Sequence, residues 1–122
     1  MPKKVLIIDD EKDVSITLLY RLKAKGYHVF AAETGAEGIE KASAEKPDMI
    51  ILDFRLPDMK ASEVADTIRS MQGMAGVPVI LITASVEDME EKSKECGAVG
   101  YLGKPIDTME LCSRIESILG GT

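Results

Sequence analysis

Short, continuously apolar runs alternate with amphipathic stretches from one end of this chain to the other. The runs predict strands near 4–9, 28–32, 49–53, 77–83 and 99–102. Between and after them, helices are expected near 11–25, 35–45, 61–72, 86–96 and 108–119. Apolar residues recur there at core-facing spacing: Val14, Leu18 and Leu22; Val64, Ile68 and Met71; Leu111, Ile115, Ile118 and Leu119. Strict strand–helix alternation demands a parallel sheet covered by helices on both faces. Strands that are apolar on both sides fit, because such strands are buried on both sides. Right-handed crossovers leave few topologies. The chain is therefore read as α/β and doubly wound, five parallel strands in the order 2-1-3-4-5 with five helices.

Punctuation agrees with these boundaries. Thr34 with Glu37, and Asp107 with Glu110, have capping-box spacing. Ser85 is the expected N-cap of the fourth helix. Gly26 and Gly97 stand where a helix commonly ends in a left-handed residue. The fourth helix has few apolar anchors, Val86, Met89 and Cys96, in an otherwise charged stretch. The tail Gly120-Gly121-Thr122 is expected to fray.

At 122 residues the chain is read as one domain, 1–122, with no repeat, linker or low-complexity segment. Its apolar content of 45% and charged content of 30% are those of a globular chain. No run approaches the ~20 apolar residues that span a bilayer. The N-terminus lacks a signal-peptide layout, so a cytoplasmic location is expected by elimination. A net charge of −6 argues against direct contact with nucleic acid or anionic membranes. The two cysteines, Cys96 and Cys112, have no metal-ligand spacing and are read as buried apolar side chains. The single histidine, His28, is read as a surface strand residue.

What the runs end in is chemically specific. The first ends in Asp9-Asp10, the third in Asp53, the fourth in Thr83, and the fifth is followed by Lys104-Pro105. In the order 2-1-3-4-5 the switch point lies between the carboxyl ends of strands 1 and 3, where Asp9, Asp10 and Asp53 fall. Thr83 and Lys104 reach the same rim. Three carboxylates in one pocket repel one another unless one is protonated or a divalent cation neutralises them. An all-oxygen donor set favours Mg²⁺ over zinc. Magnesium usually takes only one or two carboxylates, which leaves one carboxylate free to attack phosphorus. The cation, the Lys104 ammonium and the Thr83 hydroxyl together match the charge of a phosphoryl group in transit. Adjacent strand residues face opposite ways, so Asp9 and Asp10 can serve one site only where the strand stops.

With these residues in view, the whole chain resembles a response-regulator receiver domain of the CheY-like family, whose fold is flavodoxin-like. The resemblance rests on Ile7-Ile8-Asp9-Asp10-Glu11, Leu52-Asp53-Phe54-Arg55-Leu56-Pro57, Ile82-Thr83-Ala84 and Gly100-Tyr101-Leu102-Gly103-Lys104-Pro105. Each motif is common alone; their order, each on the matching strand, carries the likeness. The resemblance implies that Asp53 is the phosphoacceptor, taking a phosphoryl group from a phosphohistidine on a sensor histidine kinase or phosphotransfer protein. It implies Mg²⁺ held by Asp10, Asp53 and the Arg55 main-chain carbonyl, with Asp9 acting through water. Lys104 would bind a phosphoryl oxygen, and Thr83 and Tyr101 would form a switch pair. Ala84 would leave phosphorus accessible, and Lys104-Pro105 resembles the family's cis peptide. The implied activity is a phosphorelay signalling switch that supplies its own transfer and dephosphorylation chemistry, processes no small-molecule substrate, and presents a face to a downstream target or effector domain.

Two departures stand out. Lys60 and Ala61 occupy positions where the family commonly has an acid or amide followed by glycine, so the loop after Pro57 is expected to take its own course. Ile106 follows Lys-Pro where phenylalanine is frequent. Other classes fit less well. A haloacid-dehalogenase-like phosphatase needs its second acid two positions after the first, where Glu11 is the wrong length. A flavin module needs a phosphate-cradling loop, and Asp9 to Asp13 repels phosphate. A receiver-like module that switches without phosphate has no need of the intact Asp53 and Lys104.

Overall fold

Alternate side chains on each strand enter different layers, and both layers are apolar. The computed structural model of the protein describes residues 2–120. Its strands are β1 (Lys4–Ile8), β2 (His28–Ala32), β3 (Met49–Asp53), β4 (Val79–Thr83) and β5 (Gly100–Gly103). Its helices are α1 (Lys12–Ala24), α2 (Gly35–Glu45), α3 (Ala61–Arg69), α4 (Met89–Glu95) and α5 (Thr108–Leu119). All strand pairs are parallel, in the order β2-β1-β3-β4-β5. The expected α/β topology is therefore the observed one.

On one face Leu6, Ile8, Ile50, Leu52, Val79 and Leu81 meet Ala42 of α2, Val64, Ala65 and Ile68 of α3, and Cys96 beyond α4. On the other, Val5, Ile7, Met49, Ile51, Ile80 and Ile82 meet Leu18 and Leu22 of α1 and Leu111 and Ile115 of α5. Burying each such side chain is worth ~1.5–3 kcal/mol. Gly38 lets α2 lie on β1: a Cβ there would collide with the Ile8 side chain. Cys96 and Cys112 are buried and free, and His28 is exposed on β2, as expected. The expected core residue Ile118 is instead exposed at the surface of α5.

The caps hold in part. Thr34 Oγ1 accepts from the Glu37 N–H at 3.0 Å, but the Glu37 carboxylate reaches Glu33 N–H rather than that of Thr34. Asp107 Oδ1 accepts from Met109 and Glu110 N–H, while Glu110 turns to Arg114. Gly26 and Gly97 have φ of +97° and +61°, the left-handed conformation expected after α1 and α4. Gly120 ends α5 at φ +83°; Gly121 and Thr122, where fraying is expected, lie outside the described residues.

The fourth helix departs most from expectation. It begins at Met89, not at Val86, and Ser85 does not cap it. The Ser85 N–H donates to Thr83 Oγ1 at 3.2 Å, which turns the chain before a helix can start. Val86 lies over Gly103, where a Cβ would come within 2.8 Å of Val86 Cγ1. It touches β5 there while remaining 67% exposed, and does not anchor α4. Asp88 enters the helix at φ +56°. α3 is also shorter than expected, because the chain turns after Arg69 and reverses at Gly73, φ +81°.

The register sets the rim. Ile8 pairs with Leu52, Asp53 with Ile82, and Thr83 with Gly103. The carboxyl ends of β1, β3, β4 and β5 therefore finish side by side, and Asp9, Asp53, Thr83 and Lys104 arrive together.

Candidate functional site

β1 ends one residue before its acidic pair. Asp9 N–H still donates to Ala32 carbonyl at 3.0 Å, so Asp9 keeps the strand's direction, and the chain bends at Asp10. That bend lets neighbouring acids serve one site. Asp9 Oδ1 accepts from Glu11 N–H at 2.8 Å, locking the turn. Ser15 of α1 donates its hydroxyl to the Asp9 carbonyl at 3.3 Å. One carboxylate oxygen each of Asp9, Asp10 and Asp53 lies within 4.8 Å of the others. Asp9 and Asp53 are 0% and 4% exposed; Asp10 faces solvent.

Lys104 reaches into this cluster from the loop after β5. Its backbone is fixed by a 2.7 Å hydrogen bond to the Thr83 carbonyl, and its bond to Pro105 is cis. Nζ lies 3.1 Å from Asp53 Oδ2, 2.9 Å from Asp9 Oδ2 and 2.7 Å from Glu11 Oε1. The Asp9 approach is an ion pair without hydrogen-bond alignment, so this buried oxygen has no hydrogen-bond partner. Asp53 Oδ1 accepts from Arg55 N–H at 3.1 Å.

Burial is the largest influence on Asp53, and the Asp9 charge adds to it. The Arg55 N–H and Lys104 act the other way, and the net result lifts Asp53 from 3.8 to about 6. Burial alone would push Lys104 down, but Glu11, Asp9 and Asp53 outweigh it and hold the ammonium above its ordinary range. One ammonium does not neutralise this many acids. The surplus of carboxylate, the all-oxygen donor set and the orphaned Asp9 Oδ2 together fit a divalent cation.

Thr83 is fully buried at the end of β4, its oxygen accepting from Ser85 N–H. Its O–H makes no hydrogen bond to Asp53 or Lys104 among the described residues. Tyr101 is 39% exposed on β5 and Ala84 is exposed beside the rim. The structure thus brings Asp9, Asp10, Asp53 and Lys104 into one cluster, with Thr83 at the neighbouring strand end and Tyr101 opposite Leu81, two residues back from the rim.

Three residues were not legible as site residues in the sequence. Glu11 is the shortest partner of Lys104. Asp58 accepts from Gly35 and Ala36 N–H at 2.8 and 3.0 Å, tying the loop after Asp53 to the start of α2. Those two N–H groups, Ala36 first, hold Asp58 below the usual carboxylate range. Arg69 forks onto the Cys96 and Gly97 carbonyls at 2.8 and 2.7 Å. The partners of Asp58 and Arg69 are 22 to 28 residues away, so no local signal marks the pairs. Ala61 opens α3, buried against the core, and the only non-glycine residues with positive φ among those described are Lys46 and Asp88. Alanine in place of glycine therefore carries no backbone strain here.

A family model for the response regulator receiver domain matches residues 5–116. The alkaline phosphatase synthesis transcriptional regulatory protein PhoP of Bacillus subtilis (strain 168) is 38% identical over 120 residues, covering 98% of this chain and 49% of that protein. The chain thus spans about half the length of this curated relative. Among solved structures, a CheY-like receiver domain protein from Methanospirillum hungatei JF-1 superposes with a TM-score of 0.89 at 27% identity, covering 98% of this chain and 95% of that one. Chemotaxis protein CheY4 of Vibrio cholerae gives 0.89 at 27% identity, covering 97% and 99%. A two-component response regulator from Clostridium difficile gives 0.87 at 30%, covering 96% and 95%. This match over nearly the whole chain, with the acidic cluster on the matching rim, sets aside the phosphatase and flavin alternatives. The chain belongs to the response regulator receiver domain family, and is a phosphoacceptor domain.

Proposed function

We propose that Asp53 is the residue that accepts the phosphoryl group, with a phosphohistidine on a sensor histidine kinase or phosphotransfer protein as donor. The observation that carries this is the Lys104 ammonium 3.1 Å from Asp53 Oδ2, beside a three-carboxylate cluster at the switch point of the sheet. An Asp53 carboxylate oxygen attacks phosphorus, the P–N bond to the donor imidazole breaks, and the imidazole leaves with the bonding pair. Water later attacks the same phosphorus, and the P–O bond breaks to restore the carboxylate.

Asp10, Asp53 and the Arg55 carbonyl are proposed as Mg²⁺ ligands, with Asp9 acting through water. Bound Mg²⁺ would neutralise charge on the phosphoryl oxygens. Lys104 donates to a phosphoryl oxygen. Thr83, whose O–H has no partner in the cluster, donates to another, and Tyr101 moves with it. The sparse apolar hold on α4 supports a shift of α4, β5 and α5 as the output, read by a downstream protein or effector domain. The domain is taken as residues 1–122. Among the described residues no helix is long and apolar enough to cross a membrane, which agrees with a proposed cytoplasmic site of action.

Intact mass after incubation with acetyl phosphate and Mg²⁺ tests the assignment. One phosphoryl adduct is expected in the wild type and none in Asp53→Asn or with Mg²⁺ chelated. Full labelling of Asp53→Asn would refute it.

A further inference from the structure

An ammonium has three hydrogens, and Lys104 Nζ has three carboxylate neighbours within 3.1 Å. Two of those hydrogens are donated, to Glu11 and Asp53, and the third faces Asp9 Oδ2 without hydrogen-bond alignment. Drawing Nζ onto a phosphoryl oxygen beyond Asp53 pulls it away from one of these three neighbours. Asp9 is fully buried, so releasing it would strand a charge away from water. Asp53 is itself the group that reacts. Glu11 differs from both: its side chain is 56% exposed, so water can replace Lys104 at little cost. Its backbone stays anchored, with N–H on Asp9 Oδ1 at 2.8 Å, and its side chain makes no cap to α1. The carboxylate can therefore swing away without moving β1 or α1.

We propose that Glu11 is a positioning residue that competes with the phosphoryl group for Lys104. Before phosphorylation it holds Nζ at the mouth of the pocket; on phosphorylation it yields the ammonium to the phosphoryl oxygen. The inference rests on Asp53 being the acceptor and Lys104 its partner. Removing the Glu11 charge weakens one of the two hydrogen bonds that Lys104 donates, so a phosphoryl group or its analogue should bind more tightly. An exposed ion pair of this kind is worth about a 2- to 5-fold change in affinity.

The test is beryllofluoride titration at fixed Mg²⁺, followed by NMR with the Lys104 side-chain methylene signals as an independent reporter. Glu11→Gln should bind about 2- to 5-fold tighter, with Lys104 signals already displaced before beryllofluoride is added. Asp13→Asn removes an equal charge from the same first turn without a Lys104 ion pair, and should move affinity by less than about half as much. Unchanged or weaker binding by Glu11→Gln overturns the proposal, as does an equal gain in Asp13→Asn, which would mean general charge repulsion. Asp53→Asn alongside separates the failures: if it still binds beryllofluoride, the acceptor assignment itself is wrong.

Discussion

α3 and α4 flank the same sheet face and are held there by different forces. α3 buries Ala61, Val64, Ala65 and Ile68 in one apolar stripe. α4 is a shorter helix that buries only Met89 and Ser93, with Cys96 just beyond it. Its remaining hold is polar and comes from outside: the Arg69 fork on the Cys96 and Gly97 carbonyls, and Lys92 Nζ 5.0 Å over the Phe54 ring. Apolar burial is lost steadily as surfaces part. A few directional contacts can be exchanged for others at small net cost. The packed half of the domain is thus a fixed frame for the acids, and α4 is the element that a change at Asp53 can re-seat.

Four measurements would break or sharpen this contrast. Ile68→Ala should cost about 2–5 kcal/mol in denaturant unfolding, because α3 cannot close the cavity. A loss under 1 kcal/mol would mean that α3 is no better fixed than α4.

The packed frame also has a cost of its own, and it falls on Asp53. Its pKa is lifted from 3.8 to about 6 on folding, so the folded state binds more protons between those values and stability falls as pH rises through them. In Mg²⁺-free buffer, Asp53→Asn should therefore be about 1–3 kcal/mol more stable than wild type above pH 6. That advantage should disappear near pH 3.5, where both are neutral. An equal advantage at both pH values would place its origin elsewhere.

Arg69→Ala should lower global stability by about 1–2 kcal/mol. Amide exchange should quicken in α4 well before β1 and β3 respond. Uniform acceleration would erase the distinction between the two helices. The smallest effect is expected from Lys92→Met, about 0.5–1 kcal/mol, since the cation over Phe54 is partly solvated. A loss above 2 kcal/mol would make that contact a main support of α4.

Legibility followed the range of the forces. Leu6, Ile8 and their odd-numbered neighbours announce two buried faces, because the alternation lies within one strand. Asp9, Asp10, Asp53 and Lys104 were legible as a set because parallel order places every strand's carboxyl end on one rim. The start of α4 was not. Ser85 has the right chemistry for an N-cap, but its N–H is drawn back to Thr83 Oγ1, and Val86 is drawn onto Gly103 of β5. Ile118 likewise has core-facing spacing, yet lies near the end of α5 and is exposed.

Local pattern by itself determined the strand–helix alternation, the doubly wound sheet and the meeting of three aspartates with a lysine. Those follow from periodicity and from the geometry of parallel strands. Only the tertiary structure decided how Lys104 is shared, because Glu11 stands 93 residues from it and meets it only once β1 and β5 end on the same rim. It also decided that α4 hangs on Arg69 and Phe54, since a hydrogen bond between distant segments has no period to reveal it.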